Sequence, residues 1–127
     1  MFVKASAVVF ATLIAVSTLF QLALAAGAPW GHLAMGGRYP GRFPPGPRVA
    51  AVVQGALLTA MGVCVLARAG WLSQTWSGLR AAAWVVVGIS ALSMIMNWAT
   101  PSKPERALWA PVGTLLFLSS LVVALSR

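Results

Sequence analysis

The sequence predicts an all-α fold, a four-helix transmembrane bundle, and three observations carry that reading. Of 127 residues, 60% are hydrophobic and 8% are charged, whereas a soluble domain carries about a quarter charged residues. A chain this short leaves much of its surface facing solvent, so the solvent it suits is lipid. Four long apolar runs stand along it, and four spans of about 20 residues use roughly 80 positions. The remainder forms three loops and short ends, a single transmembrane domain over 1–127 with no separate soluble domain.

The first span is read over residues 5–26, an uncharged run from Val8 to Leu24 preceded by Lys4. Ala23, Leu24 and Ala25 also fit a signal-peptidase pattern, but the run is longer than the usual apolar region of a signal peptide. A retained helix is expected. Residues 27–48 follow as a loop, with eight Gly or Pro among the twelve residues from Gly36 to Pro47. That composition disfavours helix and strand alike, leaving turns and a short interfacial turn at Leu33, Ala34 and Met35.

The second span is read over 49–67. Ala51, Gly55 and Thr59 recur every four residues and Gly62 continues nearby, a small-residue face on which another helix backbone can pack. The third span is read over 80–99, and Pro101 and Pro104 are expected to keep 100–108 out of helix. The fourth span, 109–126, is the shortest.

Four spans place both termini on one side of the membrane. Trp30, Trp98 and Trp109 then fall at one interface and Trp71, Trp76 and Trp84 at the other, as aromatic belts do. Basic residues divide almost evenly, with Lys4, Arg68, Arg80 and Arg127 on the terminal side and Arg38, Arg42, Arg48, Lys103 and Arg106 opposite. Lys4, close before the first span, favours termini in the cytoplasm.

The net charge of +8 comes from nine Lys/Arg against one acid, Glu105. In a soluble protein this would suggest nucleic acid. Here the bases sit at span ends, where lipid phosphates lie, so membrane lipids are the expected partners and nucleic acid is not. Cys64 is the single cysteine, which excludes an intrachain disulfide and a cysteine metal cluster. Its expected role is a small buried apolar side chain.

Two groups of candidate site residues emerge. In the first loop Trp30 and His32 precede Arg38, Tyr39 and Arg42, a mixture of bases and rings suited to an anionic headgroup or, more plainly, to anchoring the loop at the surface. In the spans, Gln21, Gln54 and Asn97 fall at one depth near that loop. An amide in hydrocarbon needs a partner, so these three are expected to face inward, as interhelical glue or as the floor of a polar site. Thr12, Ser17, Thr59, Ser90, Ser93, Ser119 and Ser120 are further polar groups in the spans. Glu105 is expected to pair with Arg48 or Arg42 across loops, or with Arg106 or Lys103 beside it. Met61, Met94 and Met96 are read as apolar packing.

No acid lies within an expected span, so a carboxylate proton relay is not expected. Paired carboxylates, a Cys–His pair, a phosphate loop and a bis-histidine haem site are also missing from the sequence. No cofactor and no metal site is implied.

The stretch AGAPWGHLAMGG, with Trp30, Gly31, Gly36 and Gly37 just past the first span, resembles uncharacterised small four-helix bacterial membrane proteins. That resemblance implies the four-span layout and no mechanism. The Ala-, Gly- and Arg-rich composition suggests a bacterial source and an inner-membrane location. The function expected first is non-enzymatic: binding lipid or a small hydrophobic ligand, or packing as an accessory subunit of a membrane complex. The alternatives are a small dimeric transporter joined along Ala51, Gly55 and Thr59, and, least favoured, a membrane enzyme using His32.

Overall fold

The computed structural model describes residues 2–73 and 77–126. Among them the chain forms four long helices and no strand: α1 (Phe2–Ala26), α2 (Pro45–Arg68), α3 (Leu79–Ala99) and α4 (Lys103–Leu125). All four are long and apolar enough to cross a membrane. Even α3, with 21 residues, reaches about 31 Å at 1.5 Å per residue, the thickness of a hydrocarbon core.

Two helices start earlier than the sequence reading placed them. α2 begins at Pro45 rather than Val49. Proline stops a helix from its interior but suits its first turn, where the missing N–H would have had no partner. α4 begins at Lys103 rather than Trp109. Ser102 caps it, accepting a hydrogen bond from the Glu105 backbone N–H at 3.3 Å, and Pro104 takes a first-turn position. The pattern Ser102-Lys103-Pro104-Glu105 is a capping-box signature, so this proline opens a helix. α4 therefore has 23 residues and is not the shortest.

α1 packs on α2 and α4, and α3 packs on α4, while α2 and α3 share the least surface of the neighbouring pairs. The pattern of burial explains that thin seam. Every buried residue of α3 lies between Leu79 and Ser90, and none is buried from Ala91 to Ala99. The main core accordingly fills the terminal half, where Phe10, Ile14, Cys64, Val65, Ala83, Val86, Val87 and Val123 interlock. A smaller cluster of Leu24, Ala34, Phe43 and Ala51 lies beneath the first loop.

The small-residue face of α2 turns inward. Ala51, Gly55 and Gly62 are buried, and a Cβ on Gly62 would stand 3.2 Å from Ile14 Cγ2 of α1. Thr59 is exposed and its hydroxyl donates to the Gly55 carbonyl at 2.9 Å. The geometry is simple. Two steps of four residues rotate about 80° past the starting face, whereas a step of four plus a step of three returns within about 20°. The covered stripe is Ala51, Gly55, Leu58, Gly62 and Val65, with Gly55 facing Thr18 and Gln21 and Gly62 facing Ile14 of α1. A dimer seam along Ala51, Gly55 and Thr59 would have to use Ala51 and Gly55, which are buried within the chain.

Several hydroxyls in the helices are satisfied by their own backbone. Ser17 donates to the Leu13 carbonyl, Thr114 to Ala110 and Ser119 to Leu115, at 2.8, 2.8 and 2.6 Å. Such back-bonding removes the need for a partner on another helix. At the terminal end, Trp71 Nε1 donates to the Lys4 carbonyl at 3.0 Å, Lys4 Nζ sits 5.0 Å from the Trp71 ring centre, and the Arg68 guanidinium donates to the Ser126 carbonyl. Trp71 and Trp84 share this end, and Trp76 lies outside the described residues.

Candidate functional site

The loop half of the bundle is hollow. A cavity of about 490 Å³ reaches all four helices and the first loop, within the size range of small-molecule sites. Its deepest polar residues are Ser17, Gln54 and Ser90. Each lies nine residues from the loop end of its helix, about 13 Å down, or roughly the middle of a bilayer. Leu58, Met61, Val112 and Leu116 give it apolar walls. Gln54 and Met96 line it and are also exposed, so it opens sideways through the thin seam between α2 and α3.

The polar lining is specific. Gln21, Gln54 and Asn97 all border this one space, from α1, α2 and α3 respectively. Among the described residues none of the three makes a side-chain hydrogen bond, so they are not gluing helices to one another. Ser90 is 2% exposed and its hydroxyl has no partner, unlike the back-bonded serines. A buried polar group without a partner costs about 1–3 kcal/mol, and these amides and this hydroxyl all face one volume.

Glu105 also lines the cavity, a role that the sequence reading missed by leaving 100–108 as a loop. It is 8% exposed. Its Oε2 accepts from Thr100 Oγ1 at 3.1 Å, and that same hydroxyl oxygen accepts from the Ser102 backbone N–H at 3.3 Å. The carboxylate thus caps α4 through a threonine and is not held by the basic residues expected for it. Arg106 donates to the Thr100 carbonyl at 2.7 Å, and Arg48 donates to the Phe43 carbonyl at 2.7 Å. One turn along α4 from Glu105, Trp109 lines the same cavity with Phe20. Their rings meet edge to face with centroids 4.8 Å apart. The signal that could have found Glu105 is the capping box: it places position 105 on a helix, one turn before Trp109.

The first loop roofs this space. It forms two tight turns, Gly31–Leu33 and Met35–Gly37, where a short interfacial turn was expected at Leu33 to Met35. Gly31 N–H donates to the Gly41 carbonyl at 2.9 Å, and a Cβ on Gly31 would stand 1.8 Å from the Tyr39 carbonyl oxygen, so no other residue fits there. Leu33, Ala34, Met35 and Gly36 face the cavity. Two bonds hold the roof to α4: Trp109 Nε1 donates to the Leu33 carbonyl at 2.9 Å, and Ser102 Oγ donates to the His32 carbonyl at 2.7 Å.

The other loop candidates stand outside the cavity. Trp30 is exposed, its ring parallel to that of Phe20 with centroids 6.3 Å apart. His32 is exposed and contributes its backbone carbonyl to the roof. Arg38 and Tyr39 border a separate shallow depression with Gly46, Pro47 and Ala50. Arg42 is exposed. These five do not converge with the three amides into one site, because the loop's own backbone lies between them and the hollow. No group of three metal-ligating side chains occurs among the described residues.

Fold and cavity together define a class: a four-helix bundle apolar enough to span a membrane, hollow at one end and filled at the other. No known protein family, curated protein or solved structure matches the chain.

Proposed function

We propose that this protein is a non-enzymatic member of a bacterial inner membrane, of the kind represented by small four-helix bacterial membrane proteins, and that it holds a small amphiphile in its loop-side cavity. The molecule enters sideways from the bilayer between α2 and α3. Its polar end sits under the roof near Gln21 and Asn97, its deeper part meets Gln54 and Ser90 midway along the helices, and its apolar part lies against Leu58, Met61 and Leu116 or extends through the seam into lipid.

The observation that supports this reading is the set of unpartnered amides facing one 490 Å³ space. Unpaired amides in hydrocarbon are unfavourable, and a half-polar, half-apolar occupant satisfies them while matching the walls. A membrane-depth cavity is also what a small transporter requires. The dimer that such a reading invoked used Ala51 and Gly55 of α2, which are buried within the chain, so holding an amphiphile is the better supported function.

The test is retention. Protein extracted in a mild detergent and sprayed under native mass-spectrometry conditions is expected to carry one amphiphile per chain. Ser93→Trp, on the cavity wall, is expected to lose it while keeping wild-type helicity. Wild-type protein that emerges empty, or a folded Ser93→Trp variant that retains as much as the wild type, overturns the proposal.

A further inference from the structure

The charge around the cavity is inverted relative to the chain. Nine basic residues and one acid make up the formal charge, yet the lining contains that one acid, Glu105, and no Lys, Arg or His. Beside Glu105, one helical turn along, stands Trp109 with Phe20 against it. A carboxylate next to aromatic rings in a low-dielectric pocket is an arrangement that attracts organic cations, by charge and by the ring quadrupole. Anionic groups meet the opposite field there, since no base borders the hollow and the part-buried Arg106, beside Glu105 in sequence, is turned to the Thr100 carbonyl.

From this we infer that the cavity selects amphiphiles bearing an ammonium group and rejects anionic ones. The inference rests on the amphiphile-binding reading and names its ligand class. The ammonium would sit between Glu105 and the Phe20–Trp109 pair. The capping geometry leaves the carboxylate suited to this: Thr100 bonds to Oε2, and Oε1 has no hydrogen-bond partner among the described residues. The unpartnered Ser90 hydroxyl and the amides of Gln21 and Asn97 remain for uncharged donors or acceptors deeper in the ligand. An ammonium of this kind has two sources, the headgroup of a lipid such as phosphatidylethanolamine or a free lipophilic amine.

The experiment compares three twelve-carbon probes on the detergent-purified full chain by titration calorimetry: dodecyltrimethylammonium, dodecanol and laurate. Wild type is expected to bind the ammonium at least about ten-fold more tightly than dodecanol, and laurate most weakly. Glu105→Gln keeps an acceptor for Thr100 and the helix cap, and is expected to lose that ten-fold preference, about 1.4 kcal/mol, while binding dodecanol unchanged. Equal ammonium preference in wild type and Glu105→Gln overturns the inference, as does laurate binding as tightly as the ammonium. Ser93→Trp separates the two levels of argument. If it abolishes binding of all probes while Glu105→Gln changes no preference, the charge inference fails and the cavity reading stands. If it changes nothing, the cavity reading fails. Competition by phosphatidylethanolamine but not phosphatidylglycerol supports the inference and assigns the ammonium to lipid, whereas resistance to both in a probe that still needs Glu105 supports it and assigns a free amine.

Discussion

The two halves of the bundle are built from the same four helices, yet only one is filled. On the terminal side of Ser17 and Ser90, Phe10 is fully buried and Val65, Ala83, Val86 and Val123 close around it. On the loop side the same helices carry Gln21, Gln54, Met96 and Asn97 around open space. In lipid no hydrophobic drive pushes helices together, so association depends on shape and on small residues. Where α1 and α2 meet at Gly62, and α3 and α4 meet at Gly113 near the Met94 backbone, the backbones approach closely. In α3 near the loop no residue from Ala91 to Ala99 is buried, and Gln54 of α2 and Met96 of α3 border the cavity. The difference teaches that the hollow arises from which residues face inward, since all four helices are long and apolar enough to cross a membrane.

Three measurements would break or sharpen this contrast. The largest effect is expected from cavity creation in the filled half. Phe10→Ala should destabilise the protein by about 3–5 kcal/mol, whereas Met96→Ala, which borders space already open, should cost less than about 1 kcal/mol. Unfolding in mixed micelles with increasing SDS would read both, and equal losses would end the claim that the halves differ in packing. Next comes the helix seam. Gly62→Leu drives a side chain into Ile14 and is expected to cost roughly 1–3 kcal/mol, while Thr59→Leu, three residues away and exposed, should be near neutral. Thermal midpoints followed by circular dichroism would decide it, and a larger loss at Thr59 would restore that residue to the packed face. The smallest effect has the opposite sign. Asn97→Leu removes an amide with no partner and should leave the empty protein unchanged or more stable, by up to about 1 kcal/mol. A destabilisation of 2 kcal/mol or more in the ligand-stripped protein would mean that the amide is bonded.

Much of the architecture is legible in single residues. The uncharged run of α1 and the low charge of the chain define four helices without any knowledge of contacts. Counting along each span places Gln21, Gln54 and Asn97 in the loop half, where all three border the cavity, although the early start of α2 at Pro45 sets Gln54 deeper than the other two. Helix starts were harder, because Pro45 and Pro104 read as breakers when proline at a first turn does the reverse. The loop residues Trp30, His32, Arg38, Tyr39 and Arg42 share a composition that suggests a site, but composition carries no direction, and the folded loop turns them away from the hollow.

The sequence by itself determined that the chain forms four helices apolar enough to cross a membrane, since apolar content and run length are local sums over the chain. Where a helix end was placed correctly, as at Ala26 and Ala99, it also set the rough depth of the polar groups, since rise per residue is constant in a helix. Only the tertiary structure decided which side of each helix is covered. It covered Leu58 and left Thr59 exposed, left the α2–α3 seam thin, and brought the one carboxylate to the wall of a cavity free of basic side chains. Those outcomes depend on the relative rotation of helices distant in sequence, which is fixed by close contacts between backbones and cannot be read from any one helix alone.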